Sequence, residues 1–370
     1  MSVYDSEELE KVVSSFELDG KVVSIERFGS GHINDSFRVA MKEGDKSYLL
    51  QRINHKIFPN VDGLMDNIDL VTTHLKSVLT NEVADVDKHT LTIIPTKSGA
   101  KYQKDANGDY WRIFILLDGT KSYDIVETTK QAFAGGMAFG RFQKQLSTLD
   151  ANQLVEILPN FHNIDFRLSN LRKAIEADRV GRLAGVREIL DYIFEREQKM
   201  RNILVMAQNG ELPLRITHND TKFNNVLLDQ EDNVQCVIDL DTVMPGYVAY
   251  DFGDAIRTII NAAAEDEKDV NKVVLNIPLF QAYTEGYFSE AKEFLTEKEI
   301  ESLWYGVLLL PYMQVVRFLT DYIDGDVYYK VHYADHNLVR TNTQLKLVKE
   351  LERAEAQLKE ILSQSLVTPS

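Results

Sequence analysis

Within RITHNDTKFNNVLLDQEDNVQCVIDLD, residues 215–241, polar side chains of complementary chemistry recur at short spacing. Asp220 and Asn225 fall in a loop-like stretch, and Asp239 ends the apolar run Cys236-Val237-Ile238. That run is expected to pair as a strand with Val226-Leu227-Leu228 across a turn at 231–233, which gathers the three polar side chains at one mouth. Two oxygen ligands beside a further carboxylate suit a hard cation such as Mg²⁺, which binds carboxylate and carbonyl oxygens together with substrate phosphates. Phosphoryl transfer needs, in addition, a carboxylate that accepts or orients the proton of the attacking hydroxyl. His218 is expected to serve as a structural hydrogen-bonder of the loop. Asp251-Phe252-Gly253 offers a rival metal carboxylate, but it opens the helix-like run AIRTIINAAA. Asp251 and Asp254 are therefore expected to cap that helix and to pair with Arg257.

The surrounding sequence divides in two. From 21 to 53 short alternating runs separated by turn residues (KVVSIERF, GSGHIND, SFRVA, MKEGD, SYLLQRI) predict an antiparallel meander. Leu64, Ile68, Val71, Leu75 and Val78 recur at helical spacing, so 62–79 is expected to be an amphipathic helix packed on that sheet. LTIIPTK and YWRIFILL add two strands. Beyond 119 the text turns helical, notably over 131–147, 168–207 and 342–363, interrupted at 213–241 by the polar segment.

Composition excludes several classes. The chain has 370 residues, 44% of them apolar, which is enough for a large core in two lobes. Acidic residues outnumber basic ones 57 to 41 and no dense Lys/Arg stripe occurs, which argues against nucleic acid and for a small ligand. The start, MSVYDSEELEKVV, lacks an apolar signal core, and apolar stretches such as VLLLPYM (307–313) are short for a bilayer, so no membrane partner is expected. Cys236 is the only cysteine, which rules out an internal disulfide and fits a cytoplasmic protein.

The pattern H-x-D-x-x-x-x-N followed by a strand-end aspartate resembles the catalytic and metal pair of kinases, and HNDTKFNN is similar to the HND/HGD loop of the aminoglycoside phosphotransferase family. That resemblance implies Asp220 as catalytic base, Asn225 and Asp239 as Mg²⁺ ligands, and Lys222 facing the γ-phosphate of ATP. GHIN (31–34), IFP (57–59), DLDTVMPG (239–246), DFGDAIR (251–257), EDEKD (265–269), AYTEG (282–286) and HNLVRTNTQLKLV (336–348) have counterparts in one branch of that family, the N-acetylhexosamine 1-kinases. The likeness extends over nearly the whole chain. It implies an α+β, protein-kinase-like bilobal fold. A small antiparallel-sheet lobe, 1–118, would bind nucleotide, and a larger helical lobe, 119–370, would carry catalysis and the sugar. It also implies sugar contacts from His32, Asn34, Arg317 and Tyr328. Adenine would bond the hinge near Leu116 and Leu117 and pack on Ile25 and Ile238.

The chain departs from the kinase pattern at one point. Gln51 stands where the third strand usually presents a phosphate-binding lysine, Arg52 points to the opposite sheet face, and the 62–79 helix has no glutamate to complete the usual pair. The phosphates are therefore expected to be held by Lys222 and the metal. Rival readings are a kinase of the same family acting on an aminoglycoside, choline or homoserine, and a protein with a degraded nucleotide site. The region 312–340 mixes acids and tyrosines with Arg317, Lys330 and Arg340, which suits a neutral sugar better than a polycation or choline.

Overall fold

The structure, a computed structural model, describes residues 4–29, 31, 33–42, 46–80, 82–261 and 263–367. His32 lies outside the described residues. The chain begins with α1 (Ser6–Val13), β1 (Val22–Arg27), β2 (Asp35–Met41), β3 (Tyr48–Ile53), α2 (Val61–Leu79), β4 (Ile93–Ile94), β5 (Gln103–Lys104) and β6 (Tyr110–Ile115). It continues through α3 (Thr129–Leu146), α4 (Ile164–Ala177), α5 (Arg187–Met200), α6 (Asn202–Gln208), β7 (Arg215–Thr217), β8 (Val226–Leu228), β9 (Val234–Val237) and β10 (Met244–Gly246). Five helices complete it: α7 (Val248–Ile259), α8 (Ile277–Ala291), α9 (Glu297–Asp324), α10 (His336–Arg353) and α11 (Glu355–Val367). Contacts group the residues into two units, one made of 1–121, 149–158 and 227–244, the other of 122–148, 159–226 and 245–370.

The first unit is built on an antiparallel sheet of order β1-β2-β3-β6-β4, with β5 also on β6. Strand alternation decides its two faces. Phe37, Val39, Leu50 and Ile113 point to one side and pack with Leu9, Val12 and Val13 of α1 in a closed core. Gln51 and Arg112, directly opposed across β3 and β6, point to the other side, where Met65 of α2 approaches Arg112. As the alternation predicts, Arg52 lies on the α1 side, bonded to Asp35 at 2.6 Å and to Asp109 at 3.2 Å. Asn60 starts α2 by accepting the Gly63 N–H at 3.0 Å. The meander and this helix follow the sequence expectation to within a residue or two.

The second unit is organised around α9, which a reciprocal Thr296/Glu299 capping box begins and Gly325, at φ 96°, ends. By length and composition α9 could cross a membrane, yet 78% of its most apolar window is buried inside the protein, so its hydrophobicity is spent on packing. The helix expected over 168–207 is broken into α4, α5 and α6. Asp178 and Gly181, at φ 31° and 69°, take the chain out of helical geometry between the first two. The segment expected over 342–363 starts earlier, at His336, and is interrupted at Ala354.

Helices α7 and α9 meet backbone to backbone. A Cβ on Gly306 would lie 1.9 Å from the Ala249 carbonyl oxygen, and one on Gly253 would lie 2.2 Å from the Gly306 carbonyl oxygen. Neither neighbour is a side chain that can rotate away. Gly306→Ala should therefore cost stability at or above the usual overpacking range of about 1–3 kcal/mol, seen as a lowered urea midpoint with an unchanged m-value. An unaltered midpoint would mean that the helices are not in backbone contact.

Candidate active site

The loop after β7 is held from below. Asp251, in the first turn of α7 and 1% exposed, accepts the backbone N–H of His218 at 2.8 Å and of Asn219 at 2.7 Å. The Gln143 amide donates to the same carboxylate at 2.9 Å, and Tyr287 donates in turn to Gln143. Asp254, one helical turn on, accepts the Thr221 N–H at 3.1 Å and is ion-paired with Arg257 at 2.8 Å, while the Thr221 hydroxyl donates to the Asp251 carbonyl at 2.6 Å. The expected Asp254–Arg257 pair is thus present. Asp251 differs from expectation: it does not cap α7, whose N-cap is Tyr247, but fixes the loop after β7. Burial pushes its carboxyl above the usual range, opposed by His218 and by the N–H groups it accepts. Burial acts on Asp254 in the same sense, but the charges of Arg257 and Lys222 outweigh it and hold that carboxyl below its ordinary value.

Because its N–H is committed downward, Asn219 adopts a left-handed conformation, φ 65°, and its amide closes on Thr217. The next residue, Asp220, donates its own N–H to His218 Nδ1 at 3.3 Å. His218 is fully buried between the edges of Phe139 and Phe142, so its role is structural, as the sequence suggested. Asn225 donates its amide nitrogen to the Asp220 carbonyl at 2.8 Å and to Asp220 Oδ2 at 3.3 Å. Its Oδ1 has no hydrogen-bond donor among the described residues, and an amide oxygen is of the chemical kind that hard cations bind. Lys222 places its ammonium 3.0 Å from Asp220 Oδ1 with its side chain 48% exposed. Desolvation lowers its affinity for a proton, but the attraction of Asp220 and then Asp254 outweighs this and raises its pKa. The helical unit therefore unites three of the expected residues, Asp220, Lys222 and Asn225.

In the sheet unit, β8 and β9 form the expected hairpin, and Asp239 follows it exposed and left-handed at φ 61°. Such a conformation costs a non-glycine residue on the order of 1 kcal/mol or more and is typical of functional positions. Two residues later Asp241 is buried. Arg112 approaches Asp241 Oδ1 to 2.6 Å, with both side chains no more than 4% exposed. This is an ion-pair contact without hydrogen-bond alignment. Arg112 also donates to Gln51 Oε1 from Nε at 3.1 Å and from Nη2 at 2.9 Å, and Gln51 donates to Ser36. The vacated lysine position is thus filled by an amide that orients a buried arginine from the adjacent strand. Sequence reasoning missed Arg112 and Asp241. The one signal was an arginine inside the apolar strand YWRIFILL.

The remaining expected residues are placed as follows. Asn34 donates to Asp241 Oδ2 at 2.6 Å and accepts the Asn54 N–H at 3.0 Å, so both ends of its amide are engaged within the sheet unit. Ile25 packs at the edge of the sheet core and Ile238 is half-buried beside Asp239. At Leu116 the N–H is taken by Ser47 at 2.9 Å, and the Leu117 carbonyl accepts from Thr120 at 2.8 Å. Arg317 stacks over Phe161 and Tyr329 at 5.7 and 5.6 Å. Tyr328 is 73% exposed and touches Tyr329 edge-on, so it is Tyr329 that adjoins Arg317.

An antiparallel-sheet unit and a mostly helical unit carrying an H-x-D-x-x-x-x-N loop define the protein-kinase-like fold. The solved structures bear this out. The chain is similar to an aminoglycoside phosphotransferase from Alicyclobacillus acidocaldarius, with a TM-score of 0.58 at 12% identity over 96% of each chain. It is similar to a choline kinase from Cryptosporidium parvum, with a TM-score of 0.58 at 14% identity over 98% of this chain and 99% of that one. A spectinomycin phosphotransferase solved with ADP and spectinomycin matches at a TM-score of 0.51 and 15% identity over 99% of both. The protein belongs to the phosphotransferase enzyme family, whose model matches residues 24–288.

The buried pair gives a prediction independent of activity. Arg112→Met leaves Asp241 charged and unpaired, and should cost about 3–5 kcal/mol in urea unfolding, whereas Arg112→Met with Asp241→Leu should recover most of that loss. Equal stability of the single variant and the wild type would show the pair to be loose.

Proposed function

We propose that this protein is an ATP-dependent kinase that phosphorylates the anomeric hydroxyl of an N-acetylhexosamine, N-acetylglucosamine or N-acetylgalactosamine, to give the sugar 1-phosphate. The observation that carries the kinase reading is the loop clamped by Asp251 and Asp254, which presents Asp220, Lys222 and Asn225 together. The sugar assignment rests on the sequence resemblance. Nucleotide binding is supported by the family and by the ADP in the spectinomycin phosphotransferase structure.

In this reading the sheet unit, with Leu116, Leu117, Ile25 and Ile238, takes the nucleotide, and the helical unit takes the sugar. Asn225 and Asp239 would hold Mg²⁺, which supplies charge neutralisation at the phosphates. The donor types suit that ion: the Asp239 carboxylate, and the Asn225 amide oxygen, which has no donor among the described residues. Asp220 accepts or orients the proton of the sugar hydroxyl. Its carboxylate is kept in place by the Asn225 amide and by the Lys222 ammonium, whose charge is preserved at neutral pH by the two aspartates near it. Lys222 is also free to lean toward the γ-phosphate, since nearly half of its side chain is exposed. His32, Asn34, Arg317 and Tyr328 are the proposed sugar contacts, with Tyr329 added by its place against Arg317.

Asp220→Asn should fold normally and bind nucleotide, but lose about 10²–10⁴-fold in turnover. Turnover within a few-fold of wild type would remove Asp220 from the mechanism. Asp239→Asn should raise the Mg²⁺ concentration needed for half-maximal rate more than it raises the sugar KM. The site of transfer is read by consuming ATP with N-acetylgalactosamine and assaying the product's reducing end. A 1-phosphate has none, so a product that still reduces copper would place the phosphate on another carbon.

A further inference from the structure

In the helical unit, most of the arginines that are at least half-buried have an acid. Arg182 pairs with Asp326, Arg196 with Glu352, Arg215 with Glu299 and Arg257 with Asp254. Arg167 of α4, Arg317 of α9 and Arg340 of α10 do not. Among the described residues none of the three forms an ion pair with a carboxylate; Arg340 donates to the Lys330 carbonyl and to Asn337 and stacks over Phe318, whereas Arg167 and Arg317 converge on Phe161. Arg167 donates from Nη2 to the Phe161 carbonyl at 2.9 Å, and its buried Nε has no partner. Arg317 donates to the neutral Gln314 side chain at 3.2 Å. Two uncompensated cations meeting at one residue, Phe161, in a chain of net charge −16 are a specific arrangement, because acids were abundant and none is in contact.

The groups around them are equally unsatisfied. The Tyr329 hydroxyl, beside Arg317, is buried without a partner, and the two buried ring nitrogens of His162 have no side-chain partner, only the Asn219 backbone near them. The His162 ring packs against Phe161 at 4.6 Å and Tyr250 at 5.0 Å. Burial drives its pKa down to about 3, with the backbone of Asn219 the weakest of the influences upon it, so His162 is neutral in the working range and adds no charge. Burial, reinforced by the charge of Arg317, likewise lowers Arg167 to about 10, a sign that the two guanidinium groups feel each other. The cluster therefore presents two cations, a phenol and a neutral imidazole. It adjoins the catalytic loop through the backbone of Asn219, immediately before Asp220.

Such a site would be costly if it were meant to stay empty, and it is complementary to a group with two or more charged oxygens. We propose that Arg167 and Arg317 form an oxyanion-binding subsite and that the acceptor sugar carries a carboxylate or a sulfate there. This rests on the sugar-kinase reading and narrows it to acidic derivatives of N-acetylhexosamines with a free anomeric hydroxyl. Arg167, which the sequence did not single out, becomes a specificity-determining residue beside Arg317. Aminoglycosides and choline, which are cations, are disfavoured by the same pair.

The test uses the full chain in two arms. In the first, the melting temperature is followed against sodium sulfate with sodium chloride at matched ionic strength as the control, for wild type, Arg167→Gln and Arg167→Lys. A saturable rise specific to sulfate is expected in wild type, lost in Arg167→Gln and at least partly kept in Arg167→Lys. Melting without sulfate shows that each variant is folded. In the second arm, kcat/KM is measured with ATP and Mg²⁺ on N-acetylglucosamine, its 6-O-sulfate and its 3-O-carboxymethyl ether. At least one acidic sugar should exceed the neutral parent by about tenfold or more, and the ratio should fall toward one in Arg167→Gln and Arg317→Gln. Which acidic sugar wins separates sulfate from carboxylate. Phosphorylation of N-acetylglucosamine with no gain from either acid and no sulfate effect overturns the subsite while leaving the kinase reading intact. A sulfate effect that needs Arg167, with no sugar phosphorylated, supports the anion site and sinks the sugar-kinase reading instead.

Discussion

The helical unit depends on one buried carboxylate that is denied a cation of its own. Asp251 is stabilised by two backbone N–H groups and the Gln143 amide, all neutral donors, while the charge nearest in sequence, Arg257, is given to Asp254. A carboxylate in this position costs several kcal/mol to desolvate, and it is tolerable only while the loop supplies those N–H groups. Loop and helix are therefore conditional on each other. The loop cannot relax without stranding Asp251, and α7 cannot carry Asp251 unless the loop closes over it. Rigidity of the segment that presents Asp220 follows from this mutual dependence rather than from the loop's own sequence, whose Asn219 is in a conformation that side chains adopt reluctantly.

The sheet unit meets a similar requirement differently. Its buried cation, Arg112 of β6, lies 2.6 Å from Asp241, two residues after Asp239. Gln51 is not a damaged lysine. Its carbonyl oxygen accepts two guanidinium N–H groups, and its amide nitrogen is spent on Ser36, so it fixes the fork of Arg112. Asp241 in turn receives the Asn34 amide, so the turn before β2 and the segment after Asp239 share one carboxylate.

How much of this the sequence discloses depends on the range over which each interaction acts. The meander, α2 and the α3 region were legible because alternation and helical spacing are local patterns. So were Asp220 and Asn225, which the structure joins by a direct hydrogen bond, and the opposite facing of Gln51 and Arg52. What stayed hidden was pairing across long separations. Arg112 on β6 meets Asp241 far along the chain, and Asp251 reaches the backbone of His218, which carries no side-chain signal at all. Tyr328 and Tyr329 are adjacent in sequence, and only the backbone path, pinned by Asp321 accepting the N–H groups of both, decides which ring turns toward Arg317. The break in the helix expected over 168–207 lies at Asp178 and Gly181, where a short departure from helical geometry outweighs the flanking periodicity.

The contact of Gly253 and Gly306 bears on how disturbances travel. Packed side chains absorb displacement by changing rotamer, in the way a gasket takes up play, but two peptide backbones in contact have nothing to rotate. Gly253 lies between Asp251 and Asp254, the two residues that grip the loop after β7. α9 therefore abuts, backbone to backbone, the same turn of α7 that makes that grip. The 28-residue helix carries Gly306 in its first half and Arg317 in its second, with Pro311 between them, so the backbone contact with α7 and the arginine stacked on Phe161 and Tyr329 belong to one continuous element.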